Sequence, residues 1–389
     1  MMSSAGSPTD RTDCVRRTSG RSVVAGLCVL LTAGCSSDLL VNPEPGDEPG
    51  VLAVGLWIPA GIAVIGEEEF LFGDRSGELF HYVNGVVTRI DGMPQSRTSD
   101  HYWGGFLDVS LHPEFSQNRL VYIAYVDANA GLAVARFEFR DGRATDLDVV
   151  FRSREFSIGS RIVWENGRHF FLSFGVGGDP YPAPGPQDLG SDVGKIHRLD
   201  ADGRVPTDNP VLPGASGPTS IWSYGHRNPQ GLFFDPVERT LYATEHGPLG
   251  GDELNVIEPG RNYGWPLFSY GLNYDNTPVS GMTEAEARAS TILPMKFWGP
   301  AFRVAPSGLL MRDGAFLFGA LYSSDLLRYH PATGVTEVVL RNVGRVRDVV
   351  RLPSGAILIS VGGRLGTRPG GAGGSEGRIL RVLSSGVIG

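Results

Sequence analysis

Between Pro59 and Ile359 one pattern recurs six times, and few folds can absorb it. A small or turn residue leads into an apolar run, a turn follows, and a second apolar run returns. The copies are Pro59-Ala60-Gly61-Ile62-Ala63-Val64 with Glu69-Phe70-Leu71-Phe72, and Gly105-Phe106-Leu107-Asp108-Val109 with Leu120-Val121-Tyr122-Ile123. They continue with Arg161-Ile162-Val163-Trp164 and His169-Phe170-Phe171-Leu172, then Gln230-Gly231-Leu232-Phe233-Phe234 and Thr240-Leu241-Tyr242-Ala243. Ser307-Gly308-Leu309-Leu310 with Ala315-Phe316-Leu317-Phe318, and Arg347-Asp348-Val349-Val350 with Ala356-Ile357-Leu358-Ile359, complete the set. Runs this short, bounded by turn residues, read as strands rather than helices. A third run follows in several copies, as in Gly77–Phe80, Gly194–Leu199 and Gly377–Val382. Repeated units of this kind bury their faces on one another. Six copies at unequal spacing therefore predict an all-β chain, a six-bladed β-propeller with inserted loops on one face. A β-sandwich or two unrelated β-domains is the competing architecture. The long insertions, Gly177 to Asp192 and Pro259 to Pro300, are expected on the face that builds a site, because loops on a rigid scaffold carry function.

Composition agrees with many short strands: 54 glycines and 27 prolines in 389 residues, with 20% charged. A formal net charge of -8 argues against a nucleic-acid partner, which needs clustered Lys and Arg. All three cysteines, Cys14, Cys28 and Cys35, precede the repeats, so the body offers no thiol nucleophile, disulfide or cysteine metal site. Residues 1–35 have the layout of an export signal. Arg16, Arg17 and Arg21 come first, then an apolar run from Val23 to Ala33, then Gly34-Cys35-Ser36-Ser37. Thr32-Ala33-Gly34-Cys35 is close to a bacterial lipobox, which predicts a lipid on Cys35; ordinary secretion and an uncleaved anchor are the alternatives. Residues 36–50, rich in Pro, Gly, Asp and Glu, read as a flexible tether. The propeller is expected over 51–385.

Four blocks stand close together between Tyr224 and Pro266. They are Gly225-His226-Arg227-Asn228-Pro229-Gln230-Gly231, Thr244-Glu245-His246-Gly247-Pro248, Gly251-Asp252-Glu253-Leu254-Asn255 and Asn262-Tyr263-Gly264-Trp265-Pro266. In order and spacing they resemble the signature of the soluble quinoprotein sugar dehydrogenases. That glucose/sorbosone dehydrogenase family holds pyrroloquinoline quinone (PQQ) and calcium on a six-bladed β-propeller.

The resemblance implies specific roles. Arg227, Asn228, Arg345 and Arg347 match the family's quinone-binding residues, and Tyr274 matches a further cofactor contact. Guanidinium groups suit the quinone's three carboxylates in charge and fork geometry. On a regular strand Arg345 and Arg347 alternate to one side, where a blade-edge salt bridge is the plain structural alternative. The Gly247 and Pro248 carbonyls match the ligands of the quinone-bound calcium, a hard ion that takes backbone oxygens. Glu253 and the Tyr263 backbone match a second, structural calcium site. Without the resemblance, Asp252 and Glu253 are an ordinary solvated pair.

Three positions depart from the family. Its base histidine, in a His-x-Gly-Gly-Arg block, corresponds to Ser157 in Phe156-Ser157-Ile158-Gly159-Ser160-Arg161. A glutamine is replaced by Trp103, and a lysine by Tyr322 in Gly319-Ala320-Leu321-Tyr322. A serine is no base unaided at neutral pH, and no Gly-x-Ser-x-Gly elbow makes it a nucleophile. His101 is an alternative base, His226 and His246 are expected to orient loops, and His112 is expected to be structural. Three functions remain open: a quinoprotein oxidising an aldose or related alcohol and passing electrons to an unknown acceptor, a calcium-stabilised propeller that binds a sugar or other ligand without turnover, and a surface interaction module. NAD-linked chemistry is disfavoured, since no Gly-x-Gly-x-x-Gly stands between a strand and a helix.

Overall fold

The computed structural model describes residues 50–97, 104–176, 185–362 and 377–382. Six four-stranded antiparallel sheets account for its strands. The first blade is β2 (Pro59–Gly66), β3 (Glu69–Asp74), β4 (Glu78–Val83) and β5 (Val86–Ile90), and the second is β6 (Phe106–Leu111), β7 (Leu120–Val126), β8 (Leu132–Arg140) and β9 (Arg143–Arg152). The third is β10 (Ile162–Trp164), β11 (His169–Phe174), β12 (Lys195–Asp200) and β13 (Ile221–Tyr224), and the fourth is β14 (Pro229–Asp235), β15 (Thr240–Glu245), β16 (Asp252–Ile257) and β17 (Lys296–Trp298). The fifth is β18 (Pro306–Arg312), β19 (Ala315–Ala320), β20 (Leu326–His330) and β21 (Val335–Leu340). The sixth combines β22 (Arg345–Arg351), β23 (Ile357–Gly362) and β24 (Gly377–Val382) with β1 (Gly50–Leu56) from the other end of the chain. Two short helices, α1 (Phe115–Asn118) and α2 (Glu284–Ser290), complete the regular structure.

The six repeats are the two innermost strands of the six blades, and the propeller is as expected. β1 is the strand that closes the ring: Gly50 pairs with Arg381 and Leu56 with Gly377. Apolar clusters lie between neighbouring blades, one joining Leu71 and Leu79 of the first blade to Val121, Ile123 and Phe137 of the second. Burial of these faces, at about 25 cal/mol per Å² of apolar surface, is what holds blade to blade.

Nearer the axis, hydroxyl groups stitch the blades together. Ser173 of β11 donates to the Pro229 carbonyl, Thr244 of β15 to Ser307 and Ser360 of β23 to Ala60. Each runs from a second strand to the innermost strand of the next blade. The innermost strands begin at one end of the propeller, which we call the mouth. In five of the six described innermost strands a bulge falls within the first residues, as between Phe106 and Asp108 or Val346 and Asp348. Bulges re-aim side chains beside sites, so the mouth is where the regular pleat is given up.

One expectation about loops needs correction. The 259–295 insertion leaves the far end of β16, not the mouth, and climbs back along the blade. Asn262 bridges in parallel with Tyr224, and Leu249 pairs with Leu272 at the mouth.

Candidate active site

The mouth collects the described 4→1 and 2→3 connections, and the four signature blocks lie on or against those of the fourth blade. Arg227 and Asn228 immediately precede β14, while His246, Gly247 and Pro248 follow β15. Asn228 Nδ2 and His246 Nδ1 are 3.4 Å apart. The Arg227 guanidinium donates to the carbonyls of His246 (3.2 Å) and Gly247 (3.0 Å), lies over the Trp265 ring and approaches the Tyr274 hydroxyl at 3.5 Å. Arg345 and Arg347 arrive from β22. Burial, and then the positive charges of Arg227, Arg345 and Arg347, push the His246 imidazole down to about 3. Three guanidinium groups from two blades thus act on one buried ring.

The two β22 arginines do not follow simple alternation. The bulge between Val346 and Asp348 interrupts the pleat at Arg347, which is buried, while Arg345 is half-buried and donates to the Leu321 carbonyl at 2.8 Å.

Behind Arg227, the Glu245 carboxylate accepts from the Arg227 backbone N–H and bonds His226 Nδ1 at 2.9 Å. His226 is fully buried, bonds Ser223 at 2.8 Å through Nε2 and stacks on Tyr263. It fixes a loop, as expected of it. His112, held by Gly167, Glu114 and Asn118, is likewise structural.

Asp252 and Glu253 are not a solvated pair. Asp252 is buried and accepts from the backbone N–H groups of Gly247, Val304 and Ala305 at 2.9 to 3.0 Å, tying the Gly247-Pro248 turn to the fifth blade. Glu253 lies across β15 and β16 from Glu245. Burial and the Glu245 charge push it up to about 8, against the Asn255 hydrogen bond. Among the described residues no group of three or more His, Cys, Asp or Glu is placed to hold a metal. A cation here would have to draw on carbonyl oxygens as well as on these carboxylates.

Ser157 is placed differently from a base. It is 1% exposed, and its hydroxyl donates to the Gly159 carbonyl while accepting from the Gly159 and Gly175 N–H groups at 3.3 and 3.1 Å. A hydroxyl so committed supports the loop beside Asn228 and does not take a proton. Tyr274 and Tyr322 are 61% and 57% exposed, rimming the mouth rather than sealing it. Trp103, His101 and Cys35 lie outside the described residues.

Sequence reasoning missed Arg161. Its buried guanidinium bonds Asp108 at 3.0 Å, the Gln230 carbonyl at 2.8 Å and the Arg347 carbonyl, and lies 3.6 Å from Asp348. Asp108 and Asp348 in turn accept from the Ile162 and Ile62 N–H groups. One side chain thereby joins four blades beneath the arginine cluster. The trio lines an axial cavity of about 260 Å³ walled by innermost strands. The available signal was the repeat register: Gly61, Gly231 and Gly308 hold the same place in other blades, so charge there is out of pattern.

The family model for Glucose / Sorbosone dehydrogenase matches residues 56–367. The chain belongs to the PQQ-type glucose/sorbosone dehydrogenase family. It is 33% identical over 308 residues to the aldose sugar dehydrogenase of Escherichia coli (strain K12), covering 73% of this chain and 81% of that protein. With the quinoprotein glucose dehydrogenase B of Acinetobacter calcoaceticus it shares 30% over 213 residues, 47% of this chain and 44% of the other. The apo crystal structure of the Escherichia coli enzyme superposes with a TM-score of 0.71 at 30% identity, covering 87% of this chain and 99% of that one. The PQQ-bound aldose sugar dehydrogenase of Streptomyces coelicolor gives 0.69 at 25% identity, with 88% and 99% covered. Family membership supports an oxidoreductase of the PQQ-dependent sugar dehydrogenase type, with a sugar as substrate. No helix among the described residues is long and apolar enough to cross a membrane.

Proposed function

We propose that this protein oxidises an aldose or a related alcohol with PQQ and calcium at the cell envelope. The observation that carries the reading is the Arg227 guanidinium set on the His246 and Gly247 carbonyls and over the Trp265 ring, beside Asn228. The residues present fit the cofactor. Three guanidinium groups suit three carboxylates, and a buried polar atom beside them, Asn228 Oδ1, has no hydrogen-bond partner among the described residues. Buried polar atoms are normally satisfied, so this one fits a cradle whose ligand supplies the contact.

Arg227, Arg345 and Arg347 would hold the carboxylates, with Asn228, Tyr274, Trp103 and Tyr322 around them. When bound, the quinone supplies a two-electron acceptor for the anomeric C–H bond, with calcium polarising its carbonyl. The Gly247 and Pro248 carbonyls would hold that ion. Gly247 O now accepts from Arg227, so ion and guanidinium compete for one oxygen and loading calcium favours turning Arg227 toward a carboxylate. Glu253 and the Tyr263 backbone would hold a second ion, whose charge offsets the repulsion between Glu253 and Glu245. Export through residues 1–35 and a lipid on Cys35 belong to the same reading, and mass spectrometry of the membrane-bound protein checks them.

A second reading is favoured by one observation, the saturation of the Ser157 hydroxyl. With no base at the family's position, the propeller binds its sugar and turns over slowly or not at all. General-base help is worth about 10²–10⁴-fold. Titration with PQQ in calcium, followed by dye reduction with a panel of aldoses, separates the readings. Binding with turnover establishes the dehydrogenase, and binding without turnover establishes the disabled site. No PQQ binding overturns both forms of the quinoprotein reading.

A further inference from the structure

Two arginines at the mouth are not needed for the quinone's three carboxylates. Arg97 lies in the connection that leads into β6, and Arg303 in the one that leads into β18, so both sit at the same end as the arginine cluster. The Arg97 guanidinium lies 4.7 Å from the Phe156 ring centre, and that of Arg303 lies 4.7 Å from the ring of Tyr322. Both rings are open to solvent, at 40% and 57% exposure.

The pairs flank the cluster from opposite sides. Phe156 adjoins Ser157, whose hydroxyl holds the Gly175 N–H, and a methyl group on Gly175 would come within 2.1 Å of Asn228 Oδ1. Tyr322 adjoins Leu321, whose carbonyl accepts from Arg345, and its own N–H donates to Val304 beside Arg303. Asn228 thus marks one side and Arg345 the other. Neither Arg97 nor Arg303 has a carboxylate partner among the described residues. Acids beside them are committed elsewhere: Asp127, opposite Ser96, to Arg152, Glu155 to the Ser191 hydroxyl and the Asp192 N–H, and Asp252 to three backbone N–H groups. In a chain of net charge -8, cations concentrated at this end are a local design.

A guanidinium stacked on a ring keeps its N–H donors in the guanidinium plane, directed past the ring edge. An exposed ring offers a flat surface to the C–H face of a pyranose. Together they match a sugar that carries a carboxylate, which accepts two parallel N–H bonds from an arginine. We propose that the mouth selects acidic sugars of the uronic acid class, and that Arg97 and Arg303 determine this selectivity. The proposal rests on the mouth being the sugar-oxidising site. The reaction is that of a neutral aldose: the anomeric C–H and O–H are lost, a lactone carbonyl forms, and two electrons and two protons pass to the quinone. The carboxylate is a spectator that is bound, not consumed.

The test uses the full chain with PQQ and calcium, and compares glucose with glucuronate and galactose with galacturonate. The expected result is a kcat/KM about tenfold or more higher for each acid, of the size of one charge-assisted contact, and falling with added salt. A uronate carries one carboxylate, so Arg97→Gln or Arg303→Gln should lower the acid-to-neutral ratio, and the double variant should bring it to one. Equal or better use of the neutral sugars, or a ratio unmoved by both variants, overturns the proposal. Calorimetric titration of the protein with glucuronate, with and without PQQ, gives a readout that needs no turnover. Glucuronate binding that weakens in either variant supports the proposal even if PQQ fails to bind, a failure that would fall on the quinoprotein reading alone. Absent glucuronate binding, or binding equal in wild type and both variants, overturns it.

Discussion

Arg161 and Arg227 are neighbours in the architecture and opposites in chemistry. Arg161 is buried on the axis between two carboxylates, Asp108 and Asp348, and donates to two carbonyls as well. Arg227 meets two carbonyls, a phenol and an indole face. The first cation is neutralised by the fold and serves as a clamp. The second is held by dipoles that leave its charge available, and that charge is felt by His246. Arg347 belongs to both regions, giving its carbonyl to Arg161 and its charge to the mouth. The partner set, not the residue type or its burial, separates a structural cation from a binding one.

The comparison predicts its largest effect at the axis. Arg161→Met leaves Asp108 and Asp348 buried together, where burial already pushes Asp108 up to about 6. Removing one partner of such a group typically costs about 3–5 kcal/mol, readable in urea denaturation. A loss below about 1 kcal/mol, the value of an exposed pair, would remove the clamp from the account.

Lys195 tests the other half of the comparison, because it too is a buried cation held by carbonyls, those of Gly185 and Val193 at 2.8 and 2.7 Å. Burial pushes its ammonium from 10.5 down to about 8, against the charges of Glu155, Asp188 and Asp192. Between those values the unfolded chain binds more protons, so stability rises with pH, complete above 10.5 and lost as pH falls to 8. Unfolding free energies measured across that window should show wild type gaining on Lys195→Met by roughly 2–3 kcal/mol. A flat difference would mean that carbonyls alone satisfy a buried cation.

At the mouth, Arg345→Ala combined with Arg347→Ala should weaken PQQ binding by about a hundredfold, the scale of two charged contacts, followed by absorbance titration. Retained affinity would break the assignment of that cluster to an anion. The smallest effect is expected at Ser157. Ser157→Ala leaves the Gly175 N–H its bond to the Gly159 carbonyl and strips only the long 3.3 Å contact from the Gly159 N–H, so it should cost about 1 kcal/mol in thermal stability, with turnover unchanged if the hydroxyl plays no chemical part. A larger fall in turnover than in stability would return Ser157 to the mechanism.

The strands that could be read from the sequence are the ones buried on both faces. β3 and β23 are almost wholly buried and carry the apolar runs Phe70-Leu71-Phe72 and Ile357-Leu358-Ile359, whereas β5 is exposed at four of its five positions and gives little signal. β1 gave none, because its partner β24 lies at the opposite end of the chain and nothing local encodes that pairing. At the proposed site, Arg227, Asn228 and Gly247 could be singled out because they share contiguous blocks. The bulge at Arg347, the burial of Asp252 and the closure of the Ser157 hydroxyl were not, since each depends on backbone groups from other segments.

By itself the sequence determined six repeated strand pairs, a body without cysteine, and the residue types able to meet an anionic cofactor. These follow from short-range patterning and side-chain chemistry, which need no partner to be recognised. Only the tertiary structure decided which arginine is neutralised and which keeps its charge. Blades two, three, four and six meet at Arg161 only once the ring has closed, and a charge's effect is set by what lies within a few ångströms of it.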